Sequence, residues 1–161
     1  MTGASRLLVA AWLQLAAIAV LACGPQEQTE GIEVLRAVAT EPISGRAALY
    51  LTIKNHGPFG DVLDSVTTPV AGGSQLHETT REGGRSRMQR IGGVPLPVDS
   101  TIRLAPGGHH VMLMEVDPSV HPGDSVRATL FFRRYDTLSV AAPVVRHADV
   151  EAVLYDAQRD E

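Results

Sequence analysis

From Ile32 onward the chain alternates apolar and polar positions in short runs, as in Ala47, Leu49, Leu51 and Ile53. A period of two is what a strand with one buried face produces, because successive side chains point to opposite sides of the sheet. Glycine, proline and asparagine break the runs at roughly eight- to twelve-residue intervals, the spacing of an all-β sandwich or barrel. The pattern predicts strands near 32–39, 46–54, 61–67, 74–80, 86–91, 99–104, 109–116, 124–132 and 137–145. Turns fall at Asn55-His56-Gly57-Pro58, Gly72-Gly73, Gly83-Gly84, Pro106-Gly107-Gly108 and Pro122-Gly123-Asp124. Helical periodicity is lacking, except that the stretch 149–157 fits a strand, a short helix or a frayed tail.

The first residues follow another pattern. Arg6 precedes a run from Leu7 to Ala22 that is apolar except for Gln14 and ends in Val20-Leu21-Ala22-Cys23. The run is short of the ~20 apolar residues of a comfortable membrane span and has the form of a signal peptide. A small residue directly before cysteine resembles a bacterial lipoprotein processing box, with Leu21 a less usual residue at its position. The expectation is a lipoprotein signal peptide over 1–22 and a lipid-modified Cys23 that anchors the protein to a membrane on the extracytoplasmic, periplasmic side. A polar, flexible tether over 23–31, one β-sandwich domain over 32–148 and a tail over 149–161 complete this division.

Removal of 1–22 leaves 139 residues, enough for one hydrophobic core, and takes away the only tryptophan, Trp12. It also changes the formal charge from −4 to −5 through loss of Arg6. A mildly acidic surface argues against nucleic acid as a partner, since that binding rests on cations neutralising phosphates. With Cys23 the sole cysteine, the domain has no internal disulfide and is held by packing alone.

Four residues carry the chemistry: His77, then Met88 after ten intervening residues, His110 after twenty-one more, and Met112 two beyond. Two imidazoles and two thioethers form a soft, neutral donor set that selects Cu(I), whereas oxygen donors suit harder ions and thiolate sets suit zinc or iron–sulfur clusters. With Gly83-Gly84 as a two-residue hairpin loop, paired positions sum to 167, so Thr79 faces Met88 and His77 faces Arg90. His77 and Met88 then share a face as diagonal neighbours. His110 and Met112, two apart on one strand, also share a face, and Met114 projects the same way as an accessory donor. His109 points to the opposite side. His56 and His121 sit at turns, and His147 lies past the last strand; none is expected in the site.

Asp61, Asp64, Asp99, Asp117 and Asp124 are scattered through turns and strand exteriors without the spacing of a calcium loop or a catalytic pair. No phosphate-binding glycine loop or nucleophile elbow is present in the sequence. The chain is therefore expected not to be an enzyme. A blue-copper centre needs a cysteine thiolate with two histidines, and Cys23 is at the wrong end of the chain for one.

The stretches LHETTREGGRSRMQRI, VPLPVDSTIRLAPGGHHVMLM, PGDSVRATLFF and ALYLTIKNHGPFGDVL, spanning most of 46–144, resemble the periplasmic copper chaperone family called PCu(A)C. The resemblance includes the spacing of His77, Met88, His110 and Met112. It implies a cupredoxin-like, Greek-key β-sandwich of eight or nine strands that binds one Cu(I) ion. It also implies passage of copper toward the binuclear copper centre of cytochrome c oxidase, with an oxidase subunit or a thiol-bearing copper chaperone as the acceptor. His109, where an aromatic is common, and the lipoprotein-like start depart from the family pattern without removing a ligand. Competing functions are a non-metal envelope lipoprotein for adhesion or assembly, and copper storage or detoxification with the same site.

Overall fold

The computed structural model describes residues 31–155. Cys23, the segment 1–22 and most of the tether lie outside the described residues. Ten strands follow one another: β1 (Ile32–Thr40), β2 (Arg46–Asn55), β3 (Asp61–Thr67), β4 (Ala71–Glu82), β5 (Arg85–Arg90), β6 (Val94–Leu96), β7 (Thr101–Leu104), β8 (His109–Val116), β9 (Ser125–Phe132) and β10 (Leu138–Val145). A 3₁₀ turn at His147–Asp149 leads into a short helix, α1 (Val150–Tyr155), so the ambiguous C-terminal segment is helical as far as it is described.

The strands hydrogen-bond in the order β5-β4-β8-β2-β1-β10-β9-β3-β6, with β7 pairing beside β2. The β1–β10 pair is parallel and the other pairs are antiparallel. The sheet folds over along β1–β10, and its two halves enclose one core. Ala47, Leu49, Leu51 and Ile53 of β2, Leu76 of β4, Val111 and Leu113 of β8, Leu63 and Val66 of β3, and Val126, Ala128 and Leu130 of β9 are all buried in it. These are the inward members of the alternating runs, so the period of two maps directly onto the two faces.

The strand missing from the sequence expectation is β6, on the edge next to β3. Pro95 and its neighbour Pro97 lack the backbone N–H of a ladder donor, which confines such a segment to an edge and hides it from a propensity reading. Asn55, fully buried at the end of β2, anchors this edge. Its amide donates to the carbonyls of Phe59 (2.9 Å), Leu96 (3.0 Å) and Pro97 (3.2 Å), and its Oδ1 accepts from Gly57 N–H at 2.9 Å.

Two local features shape the opposite end of the sheet. The β4–β5 hairpin turns through Gly83 (φ 55°) and Gly84 (φ 77°). Both angles lie in the left-handed region that tight hairpin loops require and glycine adopts without strain. Strand β2 pairs with β8 over its first half and with β7 over its second. The connecting turn Ala105–Gly108 therefore sits against the middle of the sheet, with Gly107 at φ 79°.

Candidate metal centre

The outward members of β4, β8 and β2 form a small grid. His77 pairs directly with His110, and Gln75 with Met112. Ala48 lies on the other side of Met112, and Arg46 beside Met114. In the hairpin, Thr79 pairs with Met88 and His77 with Arg90, which is the register counted from the Gly83-Gly84 loop. His77, Met88, His110 and Met112 thus share the outer face of the sheet, while Leu76, Val111 and Leu113 occupy the core face.

The His77 and His110 rings meet edge to face, with centroids 5.7 Å apart and planes at 80°. Each ring has one nitrogen engaged and one left over. His110 Nδ1–H donates to the Gly108 carbonyl at 3.1 Å, and His77 Nε2–H donates to Gln75 Oε1 at 3.0 Å. Because both acceptors are oxygens without a proton, the opposite nitrogens carry lone pairs. Those nitrogens, His110 Nε2 and His77 Nδ1, are buried and have no hydrogen-bond partner among the described residues. An oxygen acceptor fixing the tautomer from behind and a free lone pair in front is the arrangement of metal-ligating histidines.

Beside the pair is a cavity of about 310 Å³, lined by Met88, His110, Met112, Tyr50, Thr79 and His147 among others. Met88 forms the exposed lip at 50% exposure, whereas His110 is buried at 4%. His110 starts an outward-facing strand but is covered by Tyr50, whose ring centroid is 6.4 Å away, and by the Pro106–Gly107 turn. Met114 is not among the cavity-lining residues. It faces Gly73, where an added Cβ would stand 3.3 Å from the methionine methyl, so the glycine makes room for it.

His77 is held below the ordinary histidine pKa by burial first, then by repulsion from His110 and Arg90, all of which favour the neutral, ligand-competent form. Burial also raises the Tyr50 pKa, keeping its hydroxyl protonated. Among the described residues, no group of three or more His, Cys, Asp or Glu side chains converges to hold a metal ion. A metal at the histidine pair would draw its remaining protein donors from sulfur, and the thioethers in the cavity wall belong to Met88 and Met112.

The other histidines are dispersed. His109 Nε2 lies 3.5 Å from a Glu78 carboxylate oxygen, His56 bonds Glu33 at 2.8 Å, and His121 Nδ1 bonds the Ser119 carbonyl at 2.6 Å. His147 is the exception to its expectation, because the C-terminal turn brings it to the cavity wall. Gln75 and Tyr50 are further site residues not singled out from sequence. Gln75 was detectable in principle, two positions before His77 on the same strand face.

In overall structure the chain is similar to the copper-bound PCuAC domain from PmoF2, with a TM-score of 0.61 and 26% identity over 71% of this chain and 92% of that one. It is also similar to the solution structure of CuI-DR1885 from Deinococcus radiodurans, with a TM-score of 0.56 and 30% identity over 82% of this chain and 87% of that one. In sequence it is 36% identical over 121 residues to "Putative lipoprotein Lxx21020" of Leifsonia xyli subsp. xyli, covering 74% of this chain and 73% of that protein. The family model LpqE-like, described as "Putative lipoprotein LpqE-like", matches residues 31–144, most of the described chain. The protein belongs to the LpqE-like family.

Proposed function

We propose that this protein is an extracytoplasmic Cu(I) carrier, not an enzyme, that holds one ion with His77 Nδ1, His110 Nε2 and the sulfurs of Met88 and Met112. Cys23 carries a lipid that tethers the domain to the membrane, and the acceptor lies on the route to the binuclear copper centre of cytochrome c oxidase. The observation behind this reading is the pair of edge-to-face imidazoles, each with a buried nitrogen lacking a hydrogen-bond partner among the described residues, beside a cavity walled by two thioethers. The likeness to a copper-bound PCuAC domain and to CuI-DR1885 supports it.

Four neutral donors leave the bound ion its single positive charge. A partner offering thiolates displaces them one at a time without any change in copper oxidation state. Met88, at the exposed lip, is the donor an incoming ligand meets first, and His110, buried below, releases last.

Titration of the reduced protein with Cu(I) against a competing chelator tests the assignment. The parent should bind one ion, with affinity falling by an order of magnitude or more in both His110→Ala and Met88→Ala. Unchanged affinity in either variant removes that residue from the site, and absence of stoichiometric Cu(I) binding by the parent leaves a metal-free envelope lipoprotein.

A further inference from the structure

The positive charge of this chain is unevenly placed. Net charge is −4, yet Arg81, Arg85, Arg87 and Arg90 fall within the β4–β5 hairpin, and Arg46 lines the cavity. All five are exposed, and every residue of β5 is exposed. Among the described residues none of the five guanidinium groups has a salt-bridge partner, whereas Lys54, Arg133 and Arg146 pair with Asp99, Asp64 and Asp149. Of the two carboxylates in the hairpin, Glu78 is engaged by His109 at 3.5 Å and Gln89 at 3.4 Å. Glu82 faces Arg85 at the tip.

Arg81 and Arg90 share the sheet face of Met88, and Arg85 and Arg87 occupy the reverse face of the same exposed ribbon. Cations on an edge strand discourage edge-to-edge aggregation. That role does not account for Arg46, which sits on the interior strand β2 at the cavity wall. Arg46 at the cavity wall and the four arginines of the adjoining exposed hairpin, offset only at the tip by Glu82, concentrate positive charge beside the Met88 lip of an acidic protein.

We propose that this arginine collar is a docking surface for an acidic protein that exchanges copper through the Met88 lip. The proposal rests on the copper-carrier reading and names the partner's chemistry: carboxylates around a pair of cysteine thiols. Two thiols that take over Cu(I) release their protons to solvent, copper stays monovalent, and the resulting bis-thiolate complex carries one negative charge. Nearby guanidinium groups favour both the thiolates and that product.

The test uses the full chain and two synthetic dithiol peptides, one flanked by glutamates and one by glutamines. Cu(I)-loaded parent should pass its ion to the glutamate peptide about tenfold faster at low salt, with the gap closing as salt rises. The gap should vanish in Arg81→Glu/Arg85→Glu/Arg87→Glu and in the milder triple Arg→Gln variant, with Cu(I) affinity unchanged. Equal rates in the parent, or a gap that persists in the variants, would overturn the proposal. So would salt-sensitive binding of metal-free parent to phosphatidylglycerol vesicles that both triples lose, with no preference between peptides, since the collar would then serve a lipid surface. Fluorescence anisotropy of the glutamate peptide with metal-free protein separates the two readings. Binding there without any Cu(I) affinity supports the docking surface and removes the carrier function, and no binding removes the docking surface even where copper binds.

Discussion

At the residue scale, the site separates from the core by what its side chains do for stability. Met88 is half exposed, so Met88→Ala should change folding free energy by no more than about 0.5 kcal/mol while weakening Cu(I) binding. Leu113, almost fully buried on the opposite face of β8 from Met112, should cost about 3 kcal/mol as Leu113→Ala. Denaturant melts beside Cu(I) titrations of the two variants check this contrast. Gln75→Ala removes the acceptor that fixes the His77 tautomer and should weaken Cu(I) binding about tenfold with little loss of fold stability. The depressed His77 pKa has its own sign. Below the ordinary histidine range, about 6.5, the unfolded chain takes up a proton that folded His77 refuses, so metal-free stability falls as pH drops through that range. Thermal unfolding of the metal-free protein at neutral and mildly acidic pH should show a larger loss for the parent than for His77→Gln.

At the element scale, the β4–β5 hairpin and the Ala105–Gly108 turn set the geometry of the proposed donors. Gly83 and Gly84 both hold positive φ, so Gly84→Val places a β-branched residue where its backbone is strained. The expected outcome is a loosened hairpin, read as faster hydrogen exchange at β5 amides, together with weaker Cu(I) binding because Met88 is no longer held opposite Thr79. This register was legible because a Gly-Gly loop fixes a hairpin by counting, and the outward alignment of His110 and Met112 followed from alternation alone. Burial of His110 was not legible, since an outward strand position reads as exposed until Tyr50 and the Pro106–Gly107 turn are known to cover it. Strand β6 was hidden by its prolines. Helix α1 was ambiguous because six residues are too few to display a helical period.

At the scale of the whole molecule, the C-terminal segment links folding to the site. Val150 and Leu154 of α1 pack on Val38 of β1 with Tyr50 and Val145, forming a second, smaller core on the outer face of the sheet. Tyr50 belongs to this cluster and also stands over His110, and His147, at the start of the same segment, lines the cavity. No local sequence pattern could place His147 there, because its position depends on where α1 docks. Leu154→Asp puts a charge into the small core and should undock α1, costing roughly 1–3 kcal/mol of apolar burial while the main core between the two sheet halves stays folded. Amide exchange should then rise in α1, β1 and the first half of β2 and stay low in β9. With Tyr50 less constrained and His147 withdrawn, His110 becomes more accessible, and Cu(I) should pass to a competing chelator faster than from the parent. Faster transfer with protected β9 amides would make α1 a cover over the metal donors. Transfer at the parent rate from a protein with an undocked helix would limit α1 to shielding Val38.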